Sequence, residues 1–132
     1  MRERWNSGMI NVDLRSRVPI YEQLIMGIRK SILSGELKPD EQLPSVRTLA
    51  LELGINPNTI QKAYNELERQ GAIYSLKGRG SFVSSDTTAL GEEELAAIRD
   101  ELERLLHRAK ESGVTAKQMS EVLNTLCDKV WN

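Results

Sequence analysis

Ser45-Val46-Arg47-Thr48-Leu49-Ala50-Leu51-Glu52-Leu53-Gly54-Ile55-Asn56-Pro57-Asn58-Thr59-Ile60-Gln61-Lys62-Ala63-Tyr64-Asn65-Glu66-Leu67-Glu68-Arg69-Gln70-Gly71 reads as two short helices joined by a tight turn, a helix-turn-helix. Ser45 stands where it caps the first helix. Val46, Leu49, Ala50 and Leu53 give that helix one apolar stripe, and Gly54 can take the left-handed conformation that ends it. Asn56 caps the second helix and Pro57 occupies its first turn, where a missing N–H costs nothing. Ile60, Ala63, Tyr64 and Leu67 then recur at helical spacing until Gly71. The opposite face begins with Asn58, Thr59, Gln61, Lys62 and Asn65, polar side chains suited to reading a DNA groove.

Upstream, Pro19 opens a helix with Ile20, Tyr21, Leu24, Ile25, Ile28 and Ile32 on its core stripe and Gly35 at its stop. Residues 36–44 hold two prolines and no helical period, so they form an extended connector with Leu37 and Leu43 as buried pins. Residues 1–17 form an N-terminal arm: no period over 1–9, then Ile10, Val12 and Leu14 alternating as a short strand or extended segment would. Trp5 reads either as a docking anchor or as a ring packed on its own or a partner's surface.

Downstream, Ala72-Ile73-Tyr74-Ser75-Leu76 and Ser81-Phe82-Val83-Ser84-Ser85 flank Lys77-Gly78-Arg79-Gly80, a β-hairpin whose glycines supply the positive φ of a tight reversal. A hairpin directly after a helix-turn-helix is the wing of a winged helix. Its tip presents Lys77 and Arg79, either as a solvated basic turn or as a contact to phosphate and minor groove, with Gly78 permitting close backbone approach. The winged helix-turn-helix thus spans residues 18–85.

Residues 84–91 are small and polar and read as a linker. From Glu92 a helix carries Leu95, Ile98, Leu102, Leu105, Leu106 and Ala109 at near-heptad spacing, with Glu92, Glu93 and Glu94 in its first turn. Gly113 ends it. Thr115 and Gln118 make a capping box for a last helix with Met119, Val122, Leu123, Leu126 and Val130 on one face. Two amphipathic helices cannot cover two full apolar faces with each other alone. Residues 86–132 are therefore read as a linker and a two-helix dimerisation or effector region, with a second copy of the chain as the simplest cover and packing of both stripes back on the winged helix as the alternative. The overall class is mainly α with a small β-hairpin.

The 132 residues and 39% hydrophobic content suffice for a globular core. No run of about 18 apolar residues exists and the first residues lack the apolar stretch of a signal peptide, so a cytoplasmic protein without membrane contact is expected. One cysteine, Cys127, and one histidine, His107, make neither a disulfide nor a zinc site, and no cofactor is expected. No nucleophile and base stand at a motif spacing and no phosphate loop precedes a helix, so an enzyme is not expected. The net charge of −1 conceals a split: residues 1–85 hold 12 Lys/Arg against 9 Asp/Glu, residues 86–132 hold 6 against 10. A mildly basic part that faces nucleic acid is joined to an acidic part that faces something else.

The succession Pro19-Ile20-Tyr21-Glu22-Gln23-Leu24, Leu43-Pro44-Ser45-Val46-Arg47-Thr48-Leu49-Ala50, Asn56-Pro57-Asn58-Thr59, Ala63-Tyr64-Asn65-Glu66-Leu67-Glu68 and Gly78-Arg79-Gly80-Ser81-Phe82-Val83 resembles the GntR family of bacterial transcription factors. The short two-helix tail is similar to that of its YtrA-like subfamily, whose members are dimers and often sit beside transporter genes. The resemblance implies that Arg47 contacts phosphate or a base, that Asn58, Thr59 and Lys62 enter the major groove, and that Gly78 and Arg79 touch backbone or minor groove. On spacing alone, Arg47 could equally pair with Glu52. The candidate DNA-binding set is Ser45, Arg47, Asn56, Asn58, Thr59, Gln61, Lys62, Lys77, Gly78 and Arg79. Two departures stand out: Pro57 and Gln61 replace arginines of one branch, and Asp40 stands where many relatives have glycine. The expected partners are double-stranded DNA, a second copy of the chain and an unidentified small effector, which the small tail could not enclose by itself. The expected function is that of a homodimeric repressor on a pseudopalindromic operator, with a transporter operon as its target. A winged helix used only to bind another protein is the alternative, and it predicts no specific, salt-sensitive affinity for duplex DNA.

Overall fold

A computed structural model describes residues 10–132, so the expectations for Trp5 and the first nine residues lie outside the described part. The order of elements is α1 (Ile20–Leu33), α2 (Val46–Leu53), α3 (Pro57–Arg69), β1 (Ile73–Leu76), β2 (Gly80–Val83), α4 (Thr88–Glu111) and α5 (Ala116–Trp131). They divide into two units, one running to Gly91 and the other from Glu92 to Asn132.

The first unit is built by the stripes read above. Leu24, Ile25, Ile28 and Ile32 of α1, Leu49 and Ala50 of α2, and Ile60, Ala63, Tyr64 and Leu67 of α3 are all buried. Ile20, Tyr21, Val46 and Leu53 are only partly buried at the margin of this core. Each fully buried aliphatic side chain contributes about 1.5–3 kcal/mol relative to exposure. Helix ends follow local chemistry: the Ser45 hydroxyl accepts the Thr48 N–H, and Gly54 takes φ 68° at the end of α2.

The connector does more than the sequence suggested. Leu37 and Leu43 are buried as expected, but residues 40–43 also run along the outer edge of β2. Asp40 N–H donates to the Val83 carbonyl, Val83 N–H to Glu41, and Leu43 N–H to Ser81, at 2.8–2.9 Å, with a bridge between Gln42 and Phe82. An otherwise open strand edge is thereby paired. β1 and β2 are antiparallel, with Ile73 opposite Val83 and Leu76 opposite Gly80. The second strand thus starts at Gly80 and stops before Ser84, whose N–H turns to the Ala72 carbonyl.

Three further expectations are corrected. Of the two readings of residues 10–14, short strand or extended segment, the strand does not form; Ile10 is buried, and Gln23 holds the segment by accepting the Asp13 N–H and donating to the Asp13 and Val18 carbonyls. Residues 88–91 are helix, not linker, because the Asp86 carboxylate accepts the Thr88 N–H at 2.9 Å and Leu90 is buried in the core of the first unit. Glu92, Glu93 and Glu94 consequently fall past the first turn of α4, where the dipole argument no longer applies to them.

In the second unit Gly113 takes φ 82° between the helices. The Thr115 hydroxyl accepts the Gln118 N–H while Gln118 accepts the Thr115 N–H, the reciprocal box read from the sequence. No residue of α5 is buried, and Leu90 is the buried residue of α4.

Candidate nucleic-acid interface

The outward face of α3 is what its buried stripe leaves over. Asn58, Gln61, Lys62 and Asn65 are exposed and Thr59 is half-buried. The helix is held from behind by Tyr64, whose hydroxyl donates to the Pro44 carbonyl at 2.8 Å. Burial raises the ionisation point of that hydroxyl, and the nearby Glu52 charge raises it further, so it stays a donor. On the exposed face the Gln61 side-chain amide donates to Asn65 Oδ1 at 2.9 Å, and Lys62 Nζ lies 3.9 Å from the ring centroid of Tyr21 on α1.

Two members of the candidate set have structural work of their own. The Ser45 hydroxyl accepts the Thr48 N–H at 3.0 Å and donates to Thr48 Oγ1 at 2.8 Å, while Asn56 Oδ1 accepts the Asn58 N–H at 2.8 Å. Both caps set the start of a helix, and through that start the position of the polar face. Arg47 is exposed and pairs neither with Glu52 nor with another carboxylate among the described residues, so its guanidinium keeps its full set of donors.

The wing supplies the second basic element. Gly78 (φ 78°) and Gly80 (φ 112°) close the turn, and Lys77 and Arg79 are exposed at its tip. Gln42 donates its amide to the Arg79 carbonyl at 2.8 Å, tying the tip to the connector; a Cβ on Gly80 would come within 3.1 Å of that amide. Tyr74 and Phe82 stack with centroids 5.5 Å apart. Asp40 sits at φ 64°, the left-handed region that glycine favours and that Asp tolerates. Its carboxylate accepts the Ser85 and Tyr74 hydroxyls at 2.6 and 2.8 Å, which hold its pKa below the usual carboxylate range, and the bond to Asp40 raises the pKa of Tyr74. Gln42, Asp40 and Tyr21 were not among the candidates. Gln42 and Asp40 lie in a connector without periodicity, and the helical spacing of Tyr21 places it on the core stripe of α1.

Comparison with known proteins bears on what such a surface does. The family model described as bacterial regulatory proteins, gntR family, matches residues 20–83. The chain is 44% identical over 114 residues to the transcriptional repressor YtrA of Bacillus subtilis, covering 86% of this chain and 88% of YtrA. The chain belongs to the GntR family. The YtrA match, 114 residues long, extends well beyond the winged helix. A crystal structure of a transcriptional regulator from Oenococcus oeni superposes with a TM-score of 0.78 at 31% identity, covering 89% of this chain and 98% of that one. The DNA-binding domain of AraR in complex with its operator ORX1 superposes at 0.52 and 31% identity over 57% of this chain and 96% of its own length. This GntR-family chain is thus a transcriptional regulator with a winged-helix DNA-binding domain, and its relatives are regulators, not enzymes. No described helix is long and apolar enough to cross a membrane, and no described His, Cys, Asp or Glu residues cluster as a metal site.

The candidate dimerisation residues all lie in the second unit. Leu95, Ile98, Leu105, Leu106, Val122, Leu126 and Val130 are exposed, and Leu102, Met119 and Leu123 are half-buried. Leu106, Ala109, Val114, Met119 and Leu123 line a crevice between α4 and α5.

Proposed function

We propose that the chain is a cytoplasmic repressor that binds a pseudopalindromic operator as a homodimer, pairs through α4 and α5, and controls transporter genes. The observation that carries this reading is the outward face of α3. Asn58, Gln61, Lys62 and Asn65 project from a helix whose other side is locked into the core, with Arg47 and the wing residues Lys77 and Arg79 exposed on flanking elements. Amides at this position suit adenine edges, and the cations suit phosphates. The apolar residues left exposed on α4 and α5 support a second copy as cover, and the likeness to the YtrA repressor across both units supports repression.

In vitro selection from random duplexes with the full chain tests the proposal. The enriched sequence should be an inverted repeat with half-sites about 34–36 Å apart, or a multiple of that. Arg47→Ala should weaken binding to it and flatten the salt dependence by about one unit of slope for each phosphate that is no longer neutralised. A selection that enriches nothing overturns the operator; unchanged affinity of Arg47→Ala removes that residue from the interface.

A further inference from the structure

Tyr21 stands at the margin of the core. It lies in the first turn of α1, half-buried, and its ring carries the Lys62 ammonium 3.9 Å from the centroid, well inside the range of about 6 Å over which a ring face attracts a cation. A lysine on an exposed helix face otherwise samples many rotamers. Here the ammonium is held on the α1 side of α3, in a groove that Gln61 and Asn65 also line.

The nature of the partner matters as much as its position. Two carboxylates line the same groove, Glu22 and Glu66. Glu66 is taken by Arg69 and by the Gln70 amide, and Glu22 accepts the Tyr21 hydroxyl at 3.4 Å. Lys62 is therefore held by a ring instead of an acid. A carboxylate would fix the ammonium but neutralise it, and the pair would have to break before a phosphate could bind. A ring face fixes it while leaving the charge and its donors available.

We propose that Tyr21 is a positioning residue for DNA binding, holding Lys62 at the α1 edge of α3 as an un-neutralised cation for a DNA phosphate. This rests on the DNA-binding reading above. The experiment combines a double-mutant cycle in the full chain with proton NMR of the free protein, using the duplex of highest affinity from random-sequence selection and a scrambled duplex. Lys62→Met should weaken both duplexes and reduce the salt slope by about one unit. Tyr21→Leu should weaken operator binding about two- to fivefold, Tyr21→Phe should retain affinity, and Tyr21→Leu should add nothing in the Lys62→Met background. In the free protein the Lys62 ε-methylene protons should be shifted upfield by the ring, a shift lost in Tyr21→Leu and kept in Tyr21→Phe. A merely structural role for Tyr21 would give additive losses and normal Lys62 resonances, and either result overturns the proposal. Failure of the unaltered chain to prefer its selected duplex over the scrambled one defeats the DNA reading and this inference together; specific binding with additive losses defeats only the role of Tyr21.

Discussion

Helices α3 and α5 carry the same kind of apolar stripe and meet opposite fates. Ile60, Ala63, Tyr64 and Leu67 of α3 are covered by their own chain, Leu67 completely. On α5 none reaches the interior: Met119 and Leu123 are half-buried, Val122, Leu126 and Val130 are exposed, and Leu126 keeps 47% of its surface. Periodicity states which face of a helix needs cover; it does not state whether the same chain supplies it. The first unit folds around its stripes, whereas the second presents them.

The largest expected effect tests that contrast directly. Leu67→Ala should cost about 2–5 kcal/mol in urea unfolding whatever the protein concentration, because it empties a filled core position. Leu126→Ala should instead shift the monomer–dimer balance in sedimentation, with a stability loss that grows as the protein is diluted. Equal, concentration-independent losses at the two sites would break the comparison.

A smaller effect belongs to the caps, which work alike in both units. Ser45→Ala removes the acceptor for the Thr48 N–H and should cost about 1 kcal/mol in the same measurement, with weaker DNA binding because α2 carries Arg47. Loss of DNA affinity without loss of stability would mean that the hydroxyl itself touches DNA.

The smallest concerns the Glu66–Arg69 pair at the surface, in which Arg69 is exposed and Glu66 half-buried. Hydrogen bonds from Arg69 and then Gln70 lower the Glu66 pKa from its ordinary 4.5 to about 2. A carboxylate depressed in the folded state stabilises above its unfolded pKa, and that contribution disappears as pH falls through the folded value. Between about pH 4.5 and 2 the unaltered chain should therefore lose stability more steeply than Glu66→Gln. Parallel curves in thermal melts would show that the pair contributes nothing, as many surface pairs do.

Features carried by neighbouring residues are legible in the sequence. Ser45, Asn56 and the Thr115–Gln118 box cap as read, and Gly54, Gly78 and Gly113 take the positive φ that their turns require. Misreadings cluster where a distant partner decides. The connector is a third strand-like segment because its donors and acceptors match the edge of β2, some 40 residues away along the chain. Residues 88–91 read as linker by composition; the burial of Leu90 against distant residues makes them helix, helped by a local signal that composition hides, the Asp86 carboxylate that accepts the Thr88 N–H. Asp40, foreseen only as a departure from glycine, keeps the glycine-like backbone and uses its carboxylate to receive Tyr74 and Ser85.

By itself, the sequence determined the helix pair, its caps, the wing and the side chains of the polar face, since all of these follow from interactions within a few residues along the chain. Folding in three dimensions settles that Tyr21 meets Lys62 and that Gln42 holds the wing tip. Those outcomes depend on which surfaces meet across large sequence separations, and a local pattern of residues carries no record of its distant partner.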